Sequence, residues 1–348
     1  MLKIGIIGAT GYTGIELIRL LAQHPEAELA YASTETYADK MLSAVYPHLQ
    51  GLTDIVGQKL DANDITATCD VIFCALPHGH AMKIVPQLLA AGKKVIDLGA
   101  DFRLHDAKVY EAWYKEPHVA ANLLAQAVYG LPEAGYRAQI QKAQLIANPG
   151  CYPTASILAS LPLIKNKIVA LDQCIFDAKS GVSGAGRGMQ QHLHFCEMND
   201  NFSAYQVGGQ HRHTPEIEQA LSHLASSELT IQFTPHLLPI TRGMLVTCYF
   251  KLNKKLSLDD IYALYQEAYQ DEPFVRLCAP GVVPTVKQVV GSNFCNLGIT
   301  LDERTGRVIV VSVLDNLLKG ASAQAIQNMN IICQLPESLG LQQFPTYL

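Results

Sequence analysis

The stretch KIGIIGATGYTG, residues 3–14, decides the fold. Its apolar run predicts a strand, the three glycines of residues 8–14 predict a tight turn, and the amphipathic segment over about residues 15–22 predicts a helix. Glycines at such a turn let the backbone approach a pyrophosphate, whose charge is stabilised by the N–H groups at the start of the helix. The order of these elements therefore predicts a dinucleotide site of the Rossmann type. The cofactor contacts predicted in this loop are Gly8, Thr10, Gly11, Tyr12, Thr13 and Gly14.

The end of the second predicted strand, ELAYAS, bears on the choice of dinucleotide. An NAD enzyme usually carries an Asp or Glu there, which binds the ribose hydroxyls. This strand instead leads into Ser33 and Thr34, whose hydroxyls suit the 2′-phosphate of NADP, while Glu35 keeps NAD open as an alternative. We predict that NADP(H) is the cofactor, with Ser33 and Thr34 as contacts and with Pro77 beside it at the end of a later strand.

The pattern of apolar runs predicts two domains in the 348 residues. Strand and helix patterns alternate up to about residue 147, which predicts an α/β domain with a parallel sheet. After residue 150 the strands follow one another with fewer helices, which indicates a mixed or antiparallel sheet. We predict a Rossmann-type NADP-binding domain over residues 1–150 and an α+β catalytic and oligomerisation domain over residues 151–316. A C-terminal helix within about residues 317–348 is expected to pack back on the first domain.

The composition excludes several classes of function. Only 16% of the residues are charged and the net charge is −5, so the sequence lacks the basic surface that binds nucleic acid. The nine cysteines form no CxxC pair, and none of the twelve histidines joins a cysteine or carboxylate at zinc-like spacing. No apolar run has the length of a signal peptide or a membrane span. We expect a reduced, cytoplasmic protein with a small-molecule substrate and without a metal, membrane or nucleic-acid partner.

The segment NPGCYPT, residues 148–154, carries the candidate nucleophile. Pro153 suits the first turn of the apolar helical stretch that follows, which places Cys151 at or just before a helix N-terminus. Unpaired N–H groups and the helix dipole stabilise a thiolate there. A lone cysteine is more often a small buried apolar residue, and we expect this of most of the other eight. With a nucleotide site in the same chain, Cys151 predicts reduction of an activated acyl group through a thioester.

Several segments together resemble the N-acetyl-gamma-glutamyl-phosphate reductase family. They are GATGYTG (8–14), NPGCYPT (148–154), GQHRHTPEI (209–217), SGVSGAGR (180–187), DFRL (101–104) and DNLLKG (315–320), and the resemblance covers nearly the whole chain. It implies the two-domain plan of glyceraldehyde-phosphate and aspartate-semialdehyde dehydrogenases, whose members are generally homo-oligomers, here a dimer or tetramer. It also implies the NADPH-dependent reduction of N-acetyl-glutamyl 5-phosphate to the 5-semialdehyde and phosphate, a step of arginine biosynthesis.

The resemblance also implies roles for individual residues. His211 and His213 would share the roles of acid/base and substrate ligand, with a slight preference for His213 as acid/base because Glu216 could orient it. The carboxylate and phosphate of the substrate favour arginine ligands, for which Arg103 and Arg187 are the candidates. Further predicted contacts are Ser180, Gly181 and Asn316 with the cofactor, and Tyr205 and Glu216 with the substrate.

Three alternative functions stay open at this point. An aspartate-semialdehyde dehydrogenase is disfavoured because Met244 lies where the resemblance to that branch would require the acid/base histidine. A reductase of carrier-bound glutamyl phosphate would need a charged docking surface. A nucleotide-sensing regulator without catalysis would not need the Cys151 segment or the histidine pair.

Overall fold

The chain forms two compact units. The computed structural model describes residues 1–347. Unit 1 comprises residues 1–149 and 321–342, and unit 2 comprises residues 150–320 together with the residues from 343 onward. The chain therefore passes from unit 1 to unit 2 within the segment NPGCYPT, between residues 149 and 150, returns at residues 320–321 and leaves again at residues 342–343. The assignment of cofactor binding to one unit and chemistry to the other stays a prediction.

Unit 1 is built on a parallel sheet. Its strands are β1 (Leu2–Ile7), β2 (Ala27–Ser33), β3 (Val71–Cys74), β4 (Lys94–Asp97), β5 (Val128–Tyr129) and β6 (Leu145–Ala147). Its helices before the crossing are α1 (Tyr12–Leu21), α2 (Leu42–Val45), α3 (Ala62–Thr68), α4 (Ala81–Ala90), α5 (Ala107–Tyr114) and α6 (Arg137–Ile140). The strand order is β2-β1-β3-β4-β6-β5, and every neighbouring pair is parallel. The predicted parallel α/β sheet is confirmed.

The inner strands β3 and β6 are short, apolar and fully buried, as is typical of parallel strands that helices cover. The β3 sequence VIFC, for example, is buried at each of its positions. Because neighbouring strands are parallel, their carboxyl ends meet at one edge, where the loop after β1 and the residues after β2 and β3 lie.

Unit 2 contains a mixed sheet. Its strands are β7 (Cys174–Gly181), β8 (Ser203–Ala204), β9 (Ile231–Leu238), β10 (Met244–Lys251), β11 (Val275–Leu277), β12 (Cys295–Asp302) and β13 (Arg307–Leu314). Its helices are α7 (Cys151–Lys165), α8 (Phe195–Met198), α9 (Thr214–Ala225) and α10 (Leu258–Tyr269). The strand order is β11-β12-β13-β10-β7-β9-β8, with β7–β9 and β11–β12 parallel and the other pairs antiparallel. The predicted mixed sheet is confirmed.

The central helix of unit 2 is α7, which is buried from residue 152 to residue 164. It packs against β10, β13, α9 and α10. Pro162 lacks an N–H group, so the carbonyl of Leu158 loses its helical donor. The hydroxyl of Tyr269 on α10 donates to that carbonyl at 2.6 Å, and the hydroxyl of Tyr265 donates to the next carbonyl, of Ala159. These bonds hold α7 firmly, although it contains an internal proline.

The last helix, α11 (Ala323–Ile332), returns to unit 1 and contacts α1, α6 and β4. It follows a π-helical turn at residues 318–322. The Nζ atom of Lys94 on β4 donates to the carbonyl of Ile332 at 2.7 Å and so binds the end of α11. Within residues 1–347, no helix has both the length and the hydropathy needed to cross a membrane.

Candidate active site

The glycine loop after β1 has a conformation that only glycine adopts without strain. Gly8 has φ +85°, and a Cβ atom there would lie 2.4 Å from the carbonyl oxygen of Ala75. The N–H group of Gly11 donates to the carbonyl of Gly8, which closes the turn. Gly11 is the N-cap of α1 and carries no side-chain acceptor, so the first N–H groups of α1 are left for a ligand. This is the geometry that receives a pyrophosphate.

The predicted residues at the end of β2 lie against this loop. The hydroxyl of Ser33 accepts a hydrogen bond from the N–H group of Gly8 at 3.1 Å. The hydroxyls of Thr10 and Thr34 are hydrogen-bonded to each other at 3.1 Å. Ser33 and Thr34 are buried, whereas Glu35 is exposed. The other predicted contacts in unit 1 are Tyr12, Thr13 and Gly14 in the first turn of α1 and Pro77, exposed after β3.

Arg103 lies in unit 1 and is buried. Its Nε atom donates to the carbonyl of Asn148 and its Nη2 atom to the carbonyl of Leu98, both at 2.8 Å. The Asn148 side chain in turn donates to the carbonyl of Ala321 and accepts from Asn328. Arg103 therefore fixes the backbone at Asn148, three residues before Cys151 in the sequence. Its predicted contact with substrate stays a prediction.

In unit 2, α7 begins at Cys151, as the Pro and Gly pattern predicts. Gly150 is its N-cap, and the N–H group of Gly150 donates to the Oε1 atom of Glu216 on α9 at 2.9 Å. Glu216 is 1% exposed, so this bond to a charged acceptor lies inside the protein. On the other side, a Cβ atom at Gly320 would lie 2.7 Å from the Cβ atom of Cys151. The start of α7 is thus held by α9 and closely packed by residue 320.

The two predicted histidines lie just before α9, and their hydrogen bonds differ. The backbone N–H group of His213 donates to the Nδ1 atom of His211 at 3.0 Å. Because that nitrogen accepts, the neutral ring of His211 carries its proton on Nε2. This Nε2 atom lies 3.3 Å from the hydroxyl of Tyr205 and donates to it. The Tyr205 hydroxyl donates to the Tyr152 hydroxyl at 3.5 Å. The Tyr152 hydroxyl in turn donates to the carbonyl of His236.

The electrostatics of this chain of hydrogen bonds keep it neutral. Burial, assisted by the charges of His213 and Arg212, lowers the pKa of His211 to about 2. Burial also raises the pKa of Tyr205 to about 12, although the hydrogen bond to Tyr152 acts in the opposite direction. His211 is therefore a neutral hydrogen-bond donor at physiological pH, and Tyr205 keeps its proton.

Tyr152 is a site residue that the sequence analysis did not single out, although it follows the nucleophile directly. It is buried, and its ring contacts those of His211, His213 and Phe233 with centroids 5.6, 5.9 and 5.4 Å away. An aromatic residue within NPGCYPT is the signal that would have identified it. Through Tyr152 the helix that carries Cys151 contacts both histidines.

The remaining predicted residues are also in unit 2. Asn316 is buried; its Oδ1 atom accepts from the N–H group of Gly243 at 2.7 Å and its Nδ2 atom donates to Ser183 at 2.9 Å. Ser180 and Gly181 end β7 and are buried, and Arg187 is exposed in the segment that follows. The structure thus gathers Cys151, Tyr205, His211, His213 and Glu216 around the start of α7, while the glycine loop and Arg103 belong to unit 1.

Comparisons with known proteins agree with this arrangement. Residues 3–143 match the family model described as the semialdehyde dehydrogenase NAD binding domain, and residues 151–316 match the semialdehyde dehydrogenase dimerisation domain. Among solved structures, the aspartate semialdehyde dehydrogenase with NADP from Candida albicans is similar with a TM-score of 0.72 at 16% identity, covering 96% of this chain and 98% of that one. Aspartate semialdehyde dehydrogenase II of Vibrio cholerae gives the same TM-score, identity and coverage. At such identities the likeness shows the fold alone.

Relatives found by sequence share far more identity with this chain than these solved structures do. The N-acetyl-gamma-glutamyl-phosphate reductase of Symbiobacterium thermophilum is 55% identical over 98% of this chain and 97% of its own length. The reductase of the same name from Desulfotalea psychrophila is 54% identical over the full length of both chains. The matched length covers both units. The chain therefore belongs to the N-acetyl-gamma-glutamyl-phosphate reductase family.

Proposed function

We propose that this chain catalyses the NADPH-dependent reduction of N-acetyl-L-glutamyl 5-phosphate to N-acetyl-L-glutamate 5-semialdehyde and phosphate, in arginine biosynthesis. The observation that carries the proposal is the position of Cys151 at the start of α7, with the histidine pair packed on the next residue, Tyr152. Relatives more than 50% identical over nearly the whole chain are named for this reaction. The solved aspartate semialdehyde dehydrogenases share only the fold, which disfavours that alternative.

Unit 1 fits the cofactor that this reaction requires. The turn at Gly8 and the free N–H groups at the start of α1 suit a pyrophosphate, and Ser33 and Thr34 provide hydroxyls rather than a carboxylate at the end of β2. When bound there, NADPH supplies the hydride. The predicted contacts at Pro77, Ser180, Gly181 and Asn316 are part of this proposal.

Cys151 is the nucleophile in this proposal. Its sulfur forms a bond to the acyl carbon while the bond from that carbon to the phosphate oxygen breaks, so that phosphate leaves and a thioester remains. The N–H groups at the start of α7 favour the thiolate, and the bond from Gly150 to Glu216 holds them in place. Reduction of the thioester gives a thiohemiacetal, which releases the aldehyde when its carbon–sulfur bond breaks.

We assign the acid/base role to His213. Its neighbour His211 has a strongly lowered pKa and uses Nδ1 as an acceptor for a backbone N–H group, so it neither gives nor takes a proton near neutral pH. His213 would protonate the substrate oxygen during reduction and recover that proton as the thiohemiacetal collapses. His211 and Tyr205 would contact the substrate as members of a neutral hydrogen-bond chain, in which His211 donates to Tyr205 and Tyr205 donates to Tyr152.

The other substrate contacts complete the proposal. Arg187 and Arg103 would bind the phosphate and carboxylate of the substrate. Glu216 acts in this scheme through Gly150 rather than by touching substrate. The match to a dimerisation domain indicates a homo-oligomer, which we propose is a dimer or tetramer, and we place the enzyme in the cytoplasm.

The reverse reaction tests the proposal. N-acetyl-glutamate 5-semialdehyde, NADP and phosphate are supplied, and NADPH formation is followed by absorbance. We expect phosphate-dependent activity that is lost in Cys151→Ser and retained in Cys196→Ser, because Cys196 is an exposed cysteine of the same unit. Aspartate semialdehyde is the substrate control and should not react. A wild-type enzyme inactive with the acetylated aldehyde, or a Cys151→Ser variant with full activity, would contradict the proposal.

A further inference from the structure

We propose that Lys40, which lies over the ring of Tyr37, binds the 2′-phosphate of NADP(H) and so makes the enzyme select this cofactor over NAD(H). The inference rests on the proposed function only in taking NADP(H) as the cofactor. It concerns a residue outside the glycine loop, on the turn that follows β2.

The turn over residues 34–40 is held in place by backbone hydrogen bonds. The N–H group of Thr34 donates to the carbonyl of Gln58 at 2.8 Å, which continues the edge of the sheet beyond β2. The N–H group of Gly57 donates to the carbonyl of Lys40 at 2.9 Å, and that of Asp39 donates to the carbonyl of Gly57 at 2.8 Å. Both ends of the turn are thus bonded to the segment at residues 57–58. Lys40 therefore projects from a fixed backbone position.

Side chains connect this turn to the glycine loop. The hydroxyl of Tyr46 donates to the carbonyl of Thr10 at 3.2 Å, and the rings of Tyr46 and Tyr37 meet edge to face with centroids 6.1 Å apart. The Nζ atom of Lys40 lies 6.0 Å from the centroid of Tyr37. The Thr34 hydroxyl, bonded to that of Thr10, also accepts from the N–H group of Tyr37. Thr10, Thr34, Tyr46 and Tyr37 therefore form a continuous wall of contacting residues from the glycine loop to the ammonium group of Lys40.

This wall lies where the adenosine ribose is expected. In Rossmann folds the residue at the end of the second strand meets the ribose hydroxyls, and a nearby cation accommodates a 2′-phosphate. A phosphate group here adds a charge of roughly −1.5 to −2, which requires a cation. The turn also carries the exposed carboxylates of Glu35 and Asp39, so without Lys40 its charge would repel a phosphate.

The other lysine and arginine residues among the first sixty residues are less suited to bind this phosphate. Lys3 is paired with Glu28 and Arg19 with Glu16. Lys59 is exposed like Lys40, but its backbone is bonded to the hydroxyl of Tyr31 rather than to the turn. Lys59 is therefore the matched control: a lysine on the neighbouring segment, of equal charge and similar exposure.

Titration calorimetry with 2′,5′-ADP and 5′-AMP tests the assignment, because these fragments differ only in the phosphates that they carry and need no acyl substrate. The proteins are the full-length wild type, Lys40→Gln, Lys40→Arg and Lys59→Gln. Lys40→Gln should weaken 2′,5′-ADP binding by roughly ten- to a hundredfold, the loss of a hydrogen bond to a charged group. It should leave 5′-AMP binding unchanged. Lys40→Arg should restore most of the affinity, and Lys59→Gln should resemble the wild type.

Two results would overturn the inference: equal weakening by Lys40→Gln and Lys59→Gln, or no weakening by Lys40→Gln. A wild type that binds both fragments equally would overturn it as well, because no residue would then recognise the 2′-phosphate. Failure of the proposed function has a different signature. In that case the aldehyde assay is silent, while the fragment affinities still distinguish Lys40→Gln from Lys59→Gln.

Discussion

Replacing His211 with asparagine should make the protein less sensitive to acid. His211 is buried and accepts the N–H group of His213 through Nδ1. The Oδ1 atom of asparagine can accept the N–H group two residues ahead in the same way, as in an Asx-turn. The substitution therefore keeps this bond and removes a titratable group that cannot be protonated in the folded protein without a large cost.

The sign and size of the effect follow from the pKa of His211, lowered by burial from its ordinary value of 6.5 to about 2. Below pH 6.5 the unfolded chain binds a proton at this residue and the folded protein does not. The free energy of unfolding therefore decreases as the pH is lowered. The slope is about 1.4 kcal/mol per pH unit. At pH 5 the wild type should therefore have lost about 2 kcal/mol at this residue. Above pH 6.5 the residue makes no pH-dependent contribution.

Urea unfolding followed by circular dichroism at pH 8 and pH 5 measures this difference. The loss of unfolding free energy between the two pH values should be about 2 kcal/mol smaller in His211→Asn than in wild type. His192→Asn, at an exposed histidine of the same unit, should change the loss little. Equal losses in His211→Asn and the wild type would refute the conclusion that His211 stays neutral, and with it the assignment of the acid/base role to His213 by elimination.

Substitutions at two further positions, Gly8 and Glu216, test the start of α1 and the start of α7. Gly8→Ala should weaken NADPH binding by roughly tenfold or more, because of its positive φ and the close carbonyl of Ala75, and calorimetry with unchanged affinity would contradict this. Glu216→Gln keeps an acceptor for Gly150 and removes a negative charge, so iodoacetamide should alkylate Cys151 faster at a fixed pH. Glu216→Ala should instead lower the unfolding free energy by about 1–3 kcal/mol, since it leaves a buried N–H group unpaired.

The sequence predicts the elements of this protein better than their arrangement. Strands such as β3 and β10 are short apolar or alternating runs, and their patterns are local properties of the chain. The order of strands is not local: β4 pairs with β6 and β7 pairs with β9 across long intervening segments. Such pairing depends on which faces the whole chain can bury. The same is true of α11, whose buried apolar and amide side chains find their partners in unit 1 only once the sheet exists.

Within the site, the position of Cys151 is predictable because proline and glycine determine the backbone around it. The partners of the two histidines are not, since they depend on where α9 packs against α7. That Glu216 orients His213 stays a prediction from the sequence, which gives no sign of the bond from Gly150 to Glu216. No spacing rule in the sequence relates residue 150 to residue 216, and only the packing of the two helices brings them together.

The spacing of the two histidines explains why they would differ in function. A backbone N–H group can reach the ring of a histidine two residues earlier because the chain turns there, directly before α9. That single bond fixes the tautomer of His211 and leaves it a donor through Nε2, while the ring of His213 is not bound by it. In the proposed function the motif HRH therefore supplies two different groups: His211 as an oriented donor to Tyr205, and His213 as the group that transfers a proton.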